Sequence, residues 1–200
     1  MKVIGLTGGI GCGKSFVAKI ASHFFPVLHI NTDEMARQQM KKGGISYNGV
    51  IREFSQKTDD LLLPDGEINR PVLSKIVFSD PEALKKLDEI THPAVISEIQ
   101  NIIKDNSDTG EYEAVLIESA LVFESGIDRI CDEVWYVHAP KDQRVNRLME
   151  SRGYSREKID SVLSGQLSED EFIKKSDRII ENCDSVDVEE MVKIIAGILI

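Results

Sequence analysis

Residues 8 to 15 of the chain read GGIGCGKS, which matches the pattern G-x-x-x-x-G-K-[ST] of a phosphate-binding P-loop. Glycines at this density let several backbone N–H groups approach one phosphate, because a residue without a Cβ can adopt positive φ angles. The helix after such a loop adds the positive end of its dipole to the anion site. We expect Lys14 to reach the outer phosphates and Ser15 to hold magnesium. A flexible glycine-rich turn is the alternative interpretation.

The sequence on either side of the loop favours the P-loop interpretation. KVIGLT, residues 2–7, is a short apolar run typical of a buried parallel strand, and KSFVAKIASHFF, residues 14–25, has apolar residues at helical spacing. Strand, loop and helix therefore occur in the order that the motif requires. We expect Cys12 only to fill a small-residue position. The residues predicted to bind the nucleotide through this loop are Gly8, Gly9, Gly11, Cys12, Gly13, Lys14, Ser15 and Phe16.

Composition restricts the class of protein. Two hundred residues, 42% hydrophobic and 29% charged, fit one globular domain. No stretch approaches the apolar length of a membrane span, and the N-terminus enters a strand without a signal peptide, so we expect a cytoplasmic protein. Cys12, Cys131 and Cys183 are too widely spaced for a disulfide framework or a C-x-x-C zinc site.

The net charge of −10 opposes non-specific binding to nucleic acid or to anionic membranes. A polyanionic ligand therefore needs a local cationic patch, and residues 141–158 contain six basic side chains against three acidic ones. For a single arginine in this stretch, a solvated helix face with i,i+4 ion pairs is the better interpretation. For the group we favour a phosphate-facing lid, with Arg144, Arg147 and Arg152 as charge stabilisers.

Strands and helices alternate in much of the chain, which predicts an α/β fold with a parallel sheet covered by helices on both faces. After the first strand, further strands are predicted at residues 26–30, 113–118, 133–139 and 177–182, and an amphipathic helix at 187–200 closes the chain.

Residues 34–110 have a different pattern, with helices joined by turns and no strand. This pattern predicts a helical insertion of the kind that closes over a second substrate. We therefore expect a single P-loop NTPase-type domain over residues 1–200. Its predicted parts are a core of residues 1–33, 111–140 and 176–200, an insertion at about 34–110 and a lid at about 141–175.

Three side chains outside the loop are candidates for chemistry. Asp33 follows the second predicted strand, and ligands of parallel sheets lie beyond the carboxyl ends of strands. It could deprotonate an acceptor hydroxyl or serve as an N-cap of the next helix. Glu118 ends a strand and either contacts magnesium through water or points to solvent. His92 either contacts ligand or, before Pro93, introduces a helix whose first residue is proline, which we favour.

In combination these motifs resemble the dephospho-coenzyme A kinase family over almost the whole chain. In family order, the similar stretches are IGLTGGIGCGKS, INTDEMARQ, DGEINRPVLSKIVF, LDEITHP, ESALVFESG, RVNRLMESRGYS, GQLSEDE and SDRIIEN. Three positions depart from the family pattern. Asn31 stands where many members have an aspartate, Ala120 replaces a common proline, and Cys12 replaces a serine.

The resemblance implies ATP-dependent phosphorylation of the 3′-hydroxyl of the ribose in dephospho-coenzyme A, with magnesium bound at Ser15. It implies that Asp33 is the catalytic base, with Lys14 and Arg147 as further catalytic residues. No nucleic acid or membrane partner is expected, and the chain is expected to be a monomer or a weak homo-oligomer. The nucleotide would also contact Arg144, Arg152 and Asn182, and the coenzyme would contact Asp33, Arg37, Arg70, His92 and Glu124.

Two other functions share part of the pattern. A nucleoside monophosphate kinase would have the same loop and lid, but the ordered elements NRPVL and THP favour the coenzyme A precursor as acceptor. A switch protein of the GTPase type reads guanine through an N-K-x-D element, and this sequence does not occur in the chain.

Overall fold

The computed structural model describes residues 1–199. The predicted closing helix extends to residue 200, which lies outside the described residues. Within 1–199, no helix is both long and apolar enough to span a bilayer. The strands are β1 (Lys2–Thr7), β2 (Val27–Asn31), β3 (Ala114–Glu118), β4 (Glu133–His138) and β5 (Arg178–Glu181). The α-helices are α1 (Lys14–Phe24), α2 (Thr32–Gln39), α3 (Tyr47–Phe54), α4 (Arg70–Ser79), α5 (Pro81–Ser107), α6 (Lys141–Arg152), α7 (Arg156–Ser164), α8 (Glu169–Lys175) and α9 (Val188–Leu199).

The five strands form one sheet in the order β2-β3-β1-β4-β5. β1 pairs in parallel with β3 and β4, and β4 pairs in parallel with β5. The predicted parallel sheet is therefore confirmed. Leu6 lies opposite Glu118 on one side and Trp135 on the other, so the ends of β1 and β3 lie at the same edge. The loop after β1 starts from the centre of this edge, where ligands of parallel sheets bind.

Helices α1 and α9 cover the first face of the sheet, and α8 together with the loop after β3 covers the second face. Successive side chains of a strand point to opposite faces. On the second face, Tyr136 stacks on Phe172 of α8 with ring centroids 4.9 Å apart, and a Cβ on Gly5 would meet Val122 and Cys131. The cluster on the first face includes Ile4, Leu6, Trp135 and Val137 from the strands, Val17 and Ile20 from α1, and Met191 and Ile195 from α9.

The chain divides into two compact units. One contains residues 1–30 and the chain from residue 106 onward, and the other contains residues 31–105. The second unit has an apolar cluster of its own, in which Val50 and Phe54 of α3 pack with Leu73 of α4. A buried cluster of this kind lets helices α2 to α5 hold their arrangement, because burial of each large apolar side chain contributes about 1.5–3 kcal/mol.

Helix α5 runs without interruption through Pro93. The prediction that His92 introduces a helix beginning at this proline is therefore wrong. His92 lies within α5, with its Nε2 3.5 Å from Asp88 Oδ1 one turn earlier. An internal proline costs about 3 kcal/mol in a helix. The turns that follow Pro93 bury Val95 and Ile99, and this apolar packing offsets the cost of the proline.

Candidate active site

The P-loop joins β1 to α1, and its backbone requires glycine. Gly8 and Gly13 have φ angles of 149° and 92°, which side-chain-bearing residues rarely adopt. There is also no space for a side chain, since a Cβ on Gly8 would lie 2.5 Å from the carbonyl oxygen of Val137. A Cβ on Gly13 would collide with the amide nitrogen of Asn182. The loop is thus closely packed against β4 and the end of β5, which makes it a rigid cradle rather than a flexible turn.

The N-terminus of α1 is open for an anion. Gly13 caps this helix, and because glycine has no side chain, the cap residue leaves the first N–H groups without a side-chain acceptor. Lys14 folds back across the loop, where its Nζ donates to the carbonyl oxygen of Gly8 at 2.7 Å and lies 3.4 Å from that of Gly9. Its ammonium therefore sits over the cradle, where the outer phosphates of a nucleotide would bind. Cys12 is buried and has the structural position expected for it.

Ser15 is linked to a buried carboxylate. Its hydroxyl donates to Oε1 of Glu118 at 2.5 Å, and Nε2 of His29 lies 2.9 Å from Oε2 of the same carboxylate. Glu118 is only 6% exposed, so the alternative in which this strand-end carboxylate points to solvent is wrong. The register of β1 with β3 explains the burial, because Glu118 lies opposite Leu6 at the foot of the loop.

The Glu118 carboxylate remains ionised at neutral pH. Burial raises its pKa, but the hydrogen bonds from His29 and Ser15 and the nearby charge of Lys14 outweigh burial and hold the pKa below its usual value. An ionised carboxylate only accepts hydrogen bonds. The hydroxyl of Ser15 must therefore donate, and its lone pairs are left for another partner.

The oxygen atoms of Ser15 and Glu118 fit a magnesium ion, which prefers hard oxygen ligands. Within residues 1–199, no group of three or more His, Cys, Asp and Glu side chains could hold a metal ion. Magnesium usually binds through one or two protein groups, substrate phosphates and water. Ser15 and Glu118 at the foot of the loop match this mode of magnesium binding.

The three arginines of α6 differ in position. Arg144 lies against the P-loop, with its Nε donating to the carbonyl oxygen of Ile10 at 3.0 Å. A Cβ on Gly9 would lie 2.5 Å from its guanidinium. Arg147 lies beside the loop but is paired with Asp184 at 2.6 Å. Arg152 is exposed and has no hydrogen bond or ion pair within residues 1–199. The structure therefore brings two of the three arginines to the loop.

Two further side chains hold the loop in place. Asn182 is 4% exposed, and its Nδ2 donates to the carbonyl oxygen of Cys12 at 2.8 Å. The oxygen Oε1 of Gln166 accepts from the N–H of Ile10 at 2.9 Å. No role for Gln166 is evident from the sequence alone, although the residue lies in the GQLSEDE stretch that carries the family resemblance. His29 was also missed, and its signal was a polar residue within the apolar run PVLHI.

Asp33 lies in the first turn of α2, in the second compact unit. The side chain of Asn31 caps this helix by accepting from the N–H of Glu34 at 3.0 Å. The alternative role of Asp33 as N-cap is therefore wrong. Its carboxylate is exposed and has no hydrogen bond or ion pair within the described part of the chain. Asn31, which departs from the family pattern, has a structural function instead.

The other residues predicted to bind the coenzyme are divided between the two compact units. In the second unit, Nη2 of Arg70 donates to the carbonyl oxygen of Arg37 at 2.7 Å, which brings these two arginines together. His92 contacts Asp88 on its own helix. Glu124 belongs to the first unit, where it is exposed in the turns after β3.

Comparisons with known proteins show the family of the chain. The family model of dephospho-CoA kinase matches residues 2–187. A dephospho-CoA kinase of Carboxydothermus hydrogenoformans is 35% identical over 187 residues, covering 94% of this chain and 88% of that protein. The dephospho-CoA kinase structure from Campylobacter jejuni has a TM-score of 0.69 and 32% identity, with 99% and 98% of the two chains covered. A Thermus thermophilus structure has a TM-score of 0.79 and 31% identity, with 100% and 98% covered. The chain therefore belongs to the dephospho-CoA kinase family.

Proposed function

We propose that this chain transfers the γ-phosphoryl group of ATP to the 3′-hydroxyl of the ribose of dephospho-coenzyme A. In this reaction the acceptor oxygen bonds to the γ-phosphorus, the bond from that phosphorus to the β–γ bridging oxygen breaks, and ADP leaves. The observation that carries the proposal is the rigid P-loop with Lys14 across it, in a chain whose family membership spans residues 2–187. Family membership supports the choice of acceptor.

The loop binds the phosphates of ATP. The backbone N–H groups of the loop and of the start of α1 meet phosphate oxygens, and Lys14 leaves the carbonyl oxygen of Gly8 to neutralise the outer phosphates. Charge that moves toward the β–γ bridging oxygen is met by backbone N–H groups that the closely packed loop already holds in place, so these groups need little reorganisation. The nucleotide contacts assigned to this region are Gly8, Gly9, Gly11, Cys12, Gly13, Lys14, Ser15 and Phe16.

Magnesium is held at Ser15, with Glu118 behind it. When bound there, magnesium would offset the negative charge of the phosphates, while Ser15 and Glu118 would hold it at the foot of the loop. The support for this assignment is the oxygen-donor pair at the foot of the loop, where the Ser15 hydroxyl donates to the buried Glu118.

Helices α6 to α8 act as the lid. We assign Arg144 to the nucleotide, since it already contacts the loop, and Arg147 to the charge of the transferring group. Arg147 would have to exchange Asp184 for phosphate as the lid closes. Arg152, at the end of α6, is assigned to the nucleotide on the family resemblance, and Asn182 belongs to the same binding region.

Asp33 takes the proton of the acceptor hydroxyl. An exposed carboxylate with no internal partner is available to accept a proton, and the capping function belongs to Asn31. Residues 31–105 are proposed as the unit that recognises the coenzyme. Arg37, Arg70 and His92 in that unit, with Glu124, are the residues assigned to it.

We also propose a cytoplasmic location and a monomer or weak homo-oligomer, with no nucleic acid or membrane partner. The net charge of −10 supports the absence of polyanionic macromolecular partners.

A coupled assay of ADP release tests the function. Purified protein would receive ATP and magnesium with dephospho-coenzyme A, with a panel of nucleoside monophosphates, or with no acceptor, and the product mass would be measured. We expect release only with dephospho-coenzyme A, with one phosphate added at the 3′ position. Phosphorylation of nucleoside monophosphates alone would overturn the acceptor, and slow hydrolysis selective for GTP without an acceptor would indicate a switch protein.

A further inference from the structure

A chain of polar contacts connects the second strand of the sheet to the P-loop. It starts at His29 on β2, passes through the carboxylate of Glu118 on β3 and ends at the hydroxyl of Ser15. The two contacts use different carboxylate oxygens, with Oε2 at 2.9 Å from the imidazole and Oε1 at 2.5 Å from the hydroxyl. Because β2 and β3 are neighbours in the sheet, the imidazole reaches Glu118 from the side away from β1.

The positions of the hydrogens follow from the charge of the carboxylate. Ionised Glu118 accepts only, so the nitrogen Nε2 of His29 must carry the hydrogen in that contact. For the same reason the Ser15 hydroxyl hydrogen points at Oε1. The oxygen lone pairs of Ser15 then point away from Glu118, in the orientation that a metal ligand needs.

A carboxylate rotates easily about its last torsion, since that torsion is broad and nearly two-fold. The imidazole restricts this rotation, because turning the carboxylate would break the contact with His29. His29 has 22% of its side chain exposed, so it is accessible enough to be replaced without creating a fully buried cavity. His29 therefore contributes to the orientation of the Glu118 carboxylate more than to apolar packing.

We propose that His29 is a positioning residue for magnesium, which acts through Glu118 to hold the Ser15 hydroxyl in its metal-binding orientation. This inference rests on the proposed role of Ser15 as the magnesium ligand. Groups behind the direct ligands of a metal commonly change its affinity by about 10- to 100-fold when they are removed. His29 should therefore affect the magnesium-dependent part of nucleotide binding and leave the magnesium-independent part unchanged.

Calorimetric titration with ADP tests the proposal, once in EDTA and once in excess magnesium. The ratio of the two dissociation constants is the gain in affinity that magnesium provides. We expect His29→Leu to reduce this gain about tenfold while the dissociation constant in EDTA stays within about twofold of the native value. His29→Gln retains an N–H donor and should recover most of the gain. His23→Leu is the matched control, because His23 is an exposed histidine on α1.

Each outcome decides the question. An unchanged gain in His29→Leu, or an equal loss of ADP affinity with and without magnesium, overturns the proposal. If His29→Leu does not fold, His29→Asn replaces it, since its amide is one carbon too short to keep the contact that glutamine keeps. Equal gains for the Asn and Gln variants would then overturn it. ADP binding needs no acceptor, so the result stands even if dephospho-coenzyme A is not the substrate. A native protein without any gain would overturn the magnesium role of Ser15 and this inference together.

Discussion

Asn182 donates its side-chain amide to the carbonyl oxygen of Cys12 across 2.8 Å, and this contact ties the end of β5 to the centre of the P-loop. The two residues are 170 positions apart in the chain. Both are almost completely buried, with 4% and 1% of their surfaces exposed. The amide also occupies the space that a Cβ on Gly13 would need. The shape of the cradle therefore depends on a residue near the other end of the chain.

Replacement of Asn182 by alanine should loosen this cradle. Loss of the amide leaves the buried Cys12 carbonyl without this donor, which costs about 1–3 kcal/mol of unfolding free energy. ATP should also bind more weakly, because the loop is less rigid. Urea unfolding and ATP titration of Asn182→Ala check both effects, with Asn101→Ala on an exposed face of α5 as control. Native-like values in both measurements would contradict the structural role of Asn182.

Gln166→Ala should expose one amide of the loop. The N–H of Ile10 loses its acceptor in this variant, so its hydrogen exchange should accelerate about tenfold or more if the bond contributes at least about 1.4 kcal/mol to local protection. NMR or mass-spectrometric exchange measures the change. Gln143→Ala is the matched control, since Gln143 accepts from the N–H of Asp184 at 2.8 Å and should affect exchange there instead. Equal exchange at Ile10 in both variants would show that Gln166 does not hold the loop.

Asp33→Asn should lower kcat by roughly two to four orders of magnitude with ATP affinity retained, which is the range for loss of a general base. The variant removes the proton-accepting charge but keeps the size of the side chain. Steady-state kinetics with dephospho-coenzyme A and a separate ATP titration give the two values. Glu34→Gln changes the adjacent exposed carboxylate and should keep near-native turnover. If Asp33→Asn turns over as fast as this control, Asp33 is not the base.

Lys14→Ala should weaken both ATP binding and turnover. Its ammonium lies across the loop and would bind the outer phosphates, and a hydrogen bond from a charged group contributes about 1.5–3 kcal/mol, so affinity should fall by about tenfold or more. The control is Lys19→Ala, which removes an exposed lysine from the same helix. Calorimetry and the ADP-release assay measure the two effects. Unchanged behaviour of Lys14→Ala would refute the P-loop assignment.

Glu133, at the start of β4, should make an acid-sensitive contribution to stability. A hydrogen bond from Arg178, with further ones from Lys2 and Trp135, lowers the pKa of Glu133 from its usual 4.5 to about 2. Because the folded-state pKa is depressed, the ionised group stabilises the fold above pH 4.5 and loses this effect as the pH falls toward about 2. Glu133→Gln should therefore be less stable than the native protein at pH 7, and the difference should shrink at low pH. A difference independent of pH in thermal unfolding would contradict this.

The P-loop can be located from the sequence because its motif is local. Gly8 and Gly13 are needed for backbone geometry, and Lys14 and Ser15 follow within two positions. The strands were also predicted within one or two residues, since apolar runs and flanking polar residues identify them. The start of a helix at Pro93 was predicted wrongly, because the burial of Val95 and Ile99 depends on tertiary packing and outweighs a local rule.

Two assignments needed the three-dimensional structure. Both Asn31 and Asp33 are suitable N-cap residues by type, and only the helix geometry shows that Asn31 accepts the N–H of Glu34. Nothing in the sequence distinguishes the three arginines of α6 from one another. Only Arg144 and Arg147 lie at the loop. Side chains of one type on one helix differ in orientation by position, and their partners come from distant parts of the chain.

The sequence by itself determined the phosphate-binding loop, the order of strands and helices along the chain, and the family. Each of these depends on the spacing of residues that are close together in the sequence. The tertiary structure alone decided which side chains meet behind the loop. His29 and Glu118 are 89 residues apart and come into contact because β3 lies between β2 and β1 in the sheet. The order of the strands within the sheet arises from packing of the whole core. It cannot be read from the sequence near His29 or near Glu118.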